Sequence, residues 1–231
     1  MVRILCRTLW MALLAVSPVA HPAEDPGADF TPSPTLDQGW YARIETSMGR
    51  ILVRLLPDQA PQAVTYFAAL AAGDLEWMDP VTGESYQQPY YDGTRVDYAK
   101  AGMNFEIGRL PGAGTAGPML YLPLAPVGPV NFYEGGRLGF GHSPLGRISA
   151  TIFFVTVSPQ PWLNGEHPCF GEIVSGDDVA FNIAQVKTFS NGRPLEDVSV
   201  ERIETFKVGD PPPLPELKPY FPPQVKPVPV K

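Results

Sequence analysis

Cysteine, histidine and positive charge are all scarce in this chain. Two cysteines, Cys6 and Cys169, in 231 residues are too few for a disulfide framework. The three histidines lack the paired spacing of a structural zinc site. A metal would have to make do with His142, His167 and Cys169, aided by Glu166, so no metal and no cofactor is expected. Lys and Arg number 17 against 24 Asp and Glu, a net charge of −7. This argues against nucleic acid and anionic membranes as partners, because both attract a basic footprint. No apolar run approaches the ~20 residues that a spanning helix needs. A G-x-S-x-G nucleophile string is missing too, and His142 beside Ser143 is adjacency rather than a triad.

Proline is abundant instead: 28 of 231 residues, more than twice the usual level of about 5%. Prolines scattered through the middle of the chain exclude a helical bundle, since each removes a backbone donor and breaks a regular helix. Hydrophobic residues at 44% still suffice for a buried core. The amino terminus reads as a secretory signal peptide over residues 1–20. Arg3 and Arg7 precede the short apolar run Leu9–Val16, with Ala20 and Ala23 near the cut. Cleavage would remove Cys6 and leave Cys169 alone, so stability would rest on the core, in a protein exported to the periplasm or secreted. Residues 21–39 are a Pro-, Asp- and Gly-rich linker expected to be disordered. Residues 211–231 hold nine prolines and suit polyproline II geometry. That tail is read as a stiff spacer, with a ligand for an aromatic-lined partner groove as the alternative.

The span 40–210 between them reads as one β-rich folded unit. Tyr41–Ser47 and Arg50–Leu56 form a hairpin turning at Met48-Gly49. Asp58 is placed to cap a helix that has Pro61 in its first turn and Gly73 past its end. Val64, Phe67, Ala68 and Ala71 give that helix one buried face. The stretch from about 80 to 135 should be loops around short strands. Thr151–Val157 is a continuous β-branched and aromatic strand, and Pro168–Val174 is another. Asp177 would cap a second helix carrying Val179, Ile183 and Val186. The last strand, Asp197–Val208, shifts phase between Val200 and Ile203, which predicts a bulge. Many short strands and two helices point to a closed barrel with helical plugs.

Four strings carry a family resemblance: TSMGRILVRLLPDQAPQAVTYFAAL (46–70), YYDGT (90–94), FFVT (153–156) and WLNGEHPCFGEIVSG (162–176). Their residue types, order and spacing resemble the cyclophilin family of peptidyl-prolyl cis-trans isomerases. The resemblance covers nearly all of 40–210. It implies a mainly β fold, an eight-stranded closed antiparallel barrel capped by two α-helices. It also implies binding and cis/trans isomerisation of Xaa-Pro peptides or unfolded proteins in a surface groove. Amide resonance opposes that rotation by ~18–20 kcal/mol. A turnover of ~10³ per second leaves a barrier near ~13, so the groove must remove about 6. An apolar pocket for the proline ring and a donor aimed at the prolyl nitrogen are what this requires.

Carried over position by position, the resemblance puts the pocket phenylalanine on Phe154, its leucine on Leu163, its histidine on His167 and the rim tryptophan on Trp162. Gly141 and His142 fall on the peptide-binding pair. RVDYAKAGMNFEIG then departs from the pattern. Tyr98 stands where the family has its catalytic arginine, Met103 replaces a pocket phenylalanine, Asn104 a methionine and Glu106 a glutamine. Tyr98, Glu106 and His167 become the catalytic candidates. Met103, Asn104, Gly141, His142, Phe154, Trp162 and Leu163 become the substrate-binding ones. Methionine keeps an apolar wall, whereas Glu106 trades a donor for an acceptor-only anion. Losing one preorganised donor costs ~2.7–4 kcal/mol, so catalysis should fall by about 10²–10³. Lys100, an even number of positions from Tyr98, shares its strand face. GAGTAG (112–117) fits G-x-G-x-x-G, but Pro118 and Pro123 follow where a dinucleotide fold needs a helix, so it reads as a loop. The expectation is an exported isomerase, with a catalytically weak proline-peptide binding or chaperone module as the alternative.

Overall fold

The computed structural model describes residues 36–110, 120–122, 132–143 and 146–217. The leader, most of the 21–39 linker, the GAGTAG loop and the tail past 217 lie outside the described residues. The chain divides into two units, Met1–Leu36 and Asp37–Lys231, and the fold below is that of the second.

Strands β1 (Gly39–Thr46) and β2 (Gly49–Leu55) form the expected hairpin. Its two turn residues are Ser47 and Met48, one place earlier than the sequence suggests, because Gly49 already pairs with Thr46. Helix α1 (Pro61–Ala72) starts with Pro61 at its first position and stops at Gly73, whose φ of 79° suits the left-handed region. Asp58 is not its cap. Ala60 holds that position without a side-chain bond, so Pro61 sets the start by fixing φ rather than by capping. Burial of the helix is wider than one face, with Tyr66 and Leu70 fully buried alongside Val64 and Phe67. The Phe67 ring lies 5.4 Å from Tyr91, 5.4 Å from Phe153 and 5.1 Å from Phe170, making it the hub of an aromatic core.

A small hairpin of β3 (Trp77–Met78) and β4 (Ser85–Tyr86) follows. Then come β5 (Arg95–Lys100), β6 (Asn104–Arg109), β7 (Arg137–His142), β8 (Ile148–Thr156) and β9 (Cys169–Ser175). Helix α2 (Asp177–Ala184) and β10 (Val200–Val208) complete the order. Asp177 is the first helical residue rather than the cap, which is Gly176 at φ 89°. Val186 lies past the helix end.

Eight strands form one antiparallel sheet in the order β10-β1-β2-β9-β7-β8-β6-β5. It curls into a half-barrel, with α1 packed on β8, β9 and β10 and α2 on β2, β5 and β6. The predicted bulge is present: Glu45 pairs with Arg202 and Thr46 with Val200, leaving Glu201 extra. Closure is only partial. The edges meet where Arg95 faces Ser199, with Val96 N–H donating to Val198 O (2.9 Å) and Val200 N–H to Thr94 O (2.8 Å). Further along, Ala99 N–H donates to Gly192 O (2.8 Å), so the loop after α2 takes the edge that β10 would need.

The proline segment begins on the sheet rather than off it. Trp40 Nε1 donates to Pro212 O (2.9 Å) and Gln38 Nε2 to Asp210 O (2.6 Å). Leu214 and Leu217 pack against the core. Among the described residues, no helix is long and apolar enough to cross a membrane.

Candidate functional site

Successive residues of a strand face opposite sides of a sheet. On β8 this sends Phe153 into the core against Phe67 and sends Phe154 to the other face. There Phe154 forms a second apolar cluster with Phe132 and Cys169, joined by Leu56 and Leu163.

Register extends that face across five strands. Cys169 pairs with Gly139, Gly139 with Phe154, Phe154 with Glu106 and Glu106 with Tyr98. One row therefore runs from apolar to polar. A parallel row holds Lys100, Asn104 and Thr156. Gly139 is the gap in the apolar end: a Cβ there would lie 2.5 Å from Phe154 Cζ and 2.7 Å from Phe132 Cζ. Its missing side chain is what lets the two rings meet at 5.5 Å.

His167 stands edge-on to Phe154 at 5.2 Å, and His142 stands edge-on to His167 at 4.5 Å. His167 Nδ1 lies 2.8 Å from Phe140 O, so it carries the proton and donates, leaving Nε2 as the acceptor in the neutral ring. Burial pulls the His167 pKa below the ordinary imidazole value, and His142 adds to the effect. The ring is thus neutral above its usual titration range. Leu163 belongs to a short 3₁₀ turn, Pro161–Leu163, with Trp162 60% exposed beside it.

Buried Gln160 holds this turn to its surroundings. Its side chain donates to Met103 O (2.8 Å) and its backbone N–H to Phe132 O (2.8 Å), while Asn164 Oδ1 accepts from Phe132 N–H (3.0 Å). Met103 sits at the β5–β6 turn, where its carbonyl also accepts from Val157 N–H (2.7 Å). Gly141 is buried at a register shift between Phe140 and His142, and His142 itself is exposed.

Tyr98 is neither core nor free. A Cβ on Gly192 would lie 2.3 Å from the Tyr98 Cδ2 and Cε2 atoms, so the ring rests on that glycine. Glu106 accepts from Arg109, with Nη1 and Oε2 3.0 Å apart. Phe154, Leu163, His167, His142, Glu106 and Tyr98 therefore meet on one face, with Met103 and Asn104 at one end and Trp162 outside. Phe132, Gln160, Gly139 and Arg109 complete this face and were not foreseen. Phe132 sits in a stretch without periodicity. Gln160 works through long-range bonds, and Gly139 shows its role only through register. Among the described residues no three His, Cys, Asp or Glu groups cluster as a metal site would require.

The buried apolar cluster around Phe154, the His167 imidazole at its edge and the polar groups along β5 and β6 thus share one face of the sheet. The chain belongs to the cyclophilin family: the profile described as "Cyclophilin type peptidyl-prolyl cis-trans isomerase/CLD" matches residues 41–205. Peptidyl-prolyl cis-trans isomerase B of Streptomyces anulatus is 37% identical over 166 residues, covering 71% of this chain and 94% of that protein. Peptidyl-prolyl cis-trans isomerase-like 1 of Aspergillus fumigatus is 28% identical, covering 72% and 95%. A Cryptosporidium parvum cyclophilin type peptidyl-prolyl cis-trans isomerase, solved in the presence of the dipeptide Ala-Pro, superposes with a TM-score of 0.58. It shows 22% identity, with 71% of this chain and 97% of that one covered. These relatives make the chain a member of an enzyme family of isomerases.

Proposed function

We propose that this protein is exported and turns Xaa-Pro bonds of unfolded or proline-bearing chains between cis and trans in the periplasm or outside the cell. The observation that carries the reading is the Phe154 cluster beside His167, apolar enough to hold a pyrrolidine ring and flanked by the Glu106–Tyr98 row. Phe154, Leu163, Met103 and His167 bind and desolvate the ring. Asn104, Gly141 and His142 line the peptide's path, and Trp162 forms the rim. Seating the ring in an apolar site lowers the solvation that stabilises the planar, polar amide. A donor directed at the prolyl nitrogen then holds its lone pair as the bond twists. No covalent step is required. The Ala-Pro dipeptide of the Cryptosporidium protein agrees with a substrate of this kind.

The second reading is a proline-peptide binding module with weak catalysis. It is favoured by the Tyr98 ring resting on Gly192 and by Glu106, which offers no donor. A protease-coupled assay on a short Xaa-Pro peptide separates the two. A rate above the uncatalysed one, reduced by about 10²–10³ from that of arginine-bearing relatives, is expected if a donor has been lost outright. Peptide binding without acceleration would leave only the second reading.

A further inference from the structure

The rotation needs a donor, and the face that would supply it has few. Glu106 only accepts. The His167 Nδ1–H is already given to Phe140 O. Arg95 is engaged with Asp197 (Nη1–Oδ2 3.0 Å), and Lys100 lies exposed at the end of β5. Arg109 is different. Three residues after Glu106 on a regular strand it would face the core, but the register between β5 and β6 is broken twice. Val96 pairs with Ile107 and Arg95 with Arg109, which leaves Gly108 extra on β6. Tyr98 pairs with Glu106, which leaves Asp97 extra on β5.

Gly108 holds φ +114°, and a Cβ on it would lie 1.9 Å from Thr151 O, so only glycine fits the bulge. Asp97 Oδ2 secures it from across, accepting the Arg109 N–H at 2.9 Å. The extra residue restores Arg109 to the side of Glu106, where the two side chains pair. The arginine's Nε is buried without a hydrogen-bond partner. Glu106 pairs in register with Phe154, so the guanidinium that it holds lies on the Phe154 face of the sheet.

We propose that Arg109 is the groove's positive donor, held by Glu106 and delivered to this face by the Gly108 bulge. The position occupied by Tyr98 would then not need to carry a charge. This rests on the isomerase reading. The test is a protease-coupled assay on the full chain and its Arg109→Gln, Arg109→Lys and Arg95→Gln variants. Peptide affinity is read separately by titration calorimetry with a non-cleavable Xaa-Pro peptide. Arg109→Gln should lower kcat by about 10²–10³ while peptide Kd stays within about threefold, the signature of one lost transition-state donor. Arg109→Lys, which keeps a charged donor, should recover most of that loss, and Arg95→Gln should match the parent. An Arg109→Gln enzyme within about threefold of the parent, or a lysine variant as slow as the glutamine one, would overturn the assignment while leaving the isomerase reading intact. A parent chain with no acceleration at all would overturn both.

Discussion

Single positions on the groove face are set by contacts far apart in the chain. Gly139 is the simplest case. Its absent side chain is replaced by the Phe154 and Phe132 rings, each closer than 3 Å to where a Cβ would be. Gly139→Ala should therefore push Phe154 out of place, costing about 1–3 kcal/mol of stability by overpacking. It should also raise KM for an Xaa-Pro peptide by about tenfold or more, as a pocket misfit of one methyl-sized group does. Unchanged KM would mean that this ring does not form the floor. Asp97 yields a pH prediction. Burial raises its pKa to about 6, against the opposing pull of Arg109 and Arg95, with Glu106 adding to the rise. Unfolded aspartate titrates near ~3.9. The folded state binds the proton more tightly, so the associated stability is complete below about pH 4 and is lost as pH rises through 6. Asp97→Asn keeps an acceptor for the Arg109 N–H and removes the charge. Its melting temperature should match the parent at pH 4 and exceed it at pH 7.5. Parallel curves for the two proteins across that range would defeat the argument. At this scale the sequence told half the story. Phe154, Leu163 and His167 sit in local strings that mark them as candidates, whereas no string marks the side on which Arg109 lies, because two facing bulges decide it.

Elements were the most legible level. β2, α1, β8, β9 and α2 all have strong local signals: β-branched runs, Pro61 at a helix start and Gly73 at its end. Both aspartate caps failed for one reason: each position is governed by a neighbour with a stronger backbone preference, Pro61 in one case and Gly176 in the other. Composition reads 211–231 as a stiff spacer, and its described part has a partner: Trp40 offers the indole N–H and apolar surface on which residues 210–217 settle. Thr65 adds a weaker bond to Pro215 O at 3.4 Å. Two chains ending at Gly209 and at Leu217 separate spacer from strap. The shorter should lose about 1–3 kcal/mol, from three hydrogen bonds and the Leu214 and Leu217 contacts. That corresponds to roughly 2–12 °C in Tm for a domain of this size. The chain ending at Leu217 should melt like the parent. Equal melting of both would mean that the docked segment contributes nothing to the fold.

For the whole molecule, the resemblance implied a closed barrel, and the structure is a half-barrel because Gly192 O occupies the edge of β5. That contact joins residues nearly a hundred positions apart and leaves no local mark in the sequence. The core instead has to hold the sheet without covalent help. Cys169 is its own reporter: buried, 6% exposed, and with a thiol pKa pushed up to about 11 by desolvation. A thiol of that pKa is almost wholly protonated at neutral pH, and the thiolate is the reactive form. On a chain starting at residue 21, where Cys169 is the sole cysteine, labelling with a thiol reagent at pH 7.5 should be slow in native conditions. It should become fast only as the molecule unfolds, with a midpoint matching loss of the aromatic near-ultraviolet signal. Reducing agent should not shift Tm, because no disulfide contributes. Because Cys169 pairs with Gly139 behind Phe154, its labelling also reports on the groove floor. Rapid labelling well below the melting transition would show that this face opens on its own, and that the apolar site is not preorganised for a proline ring.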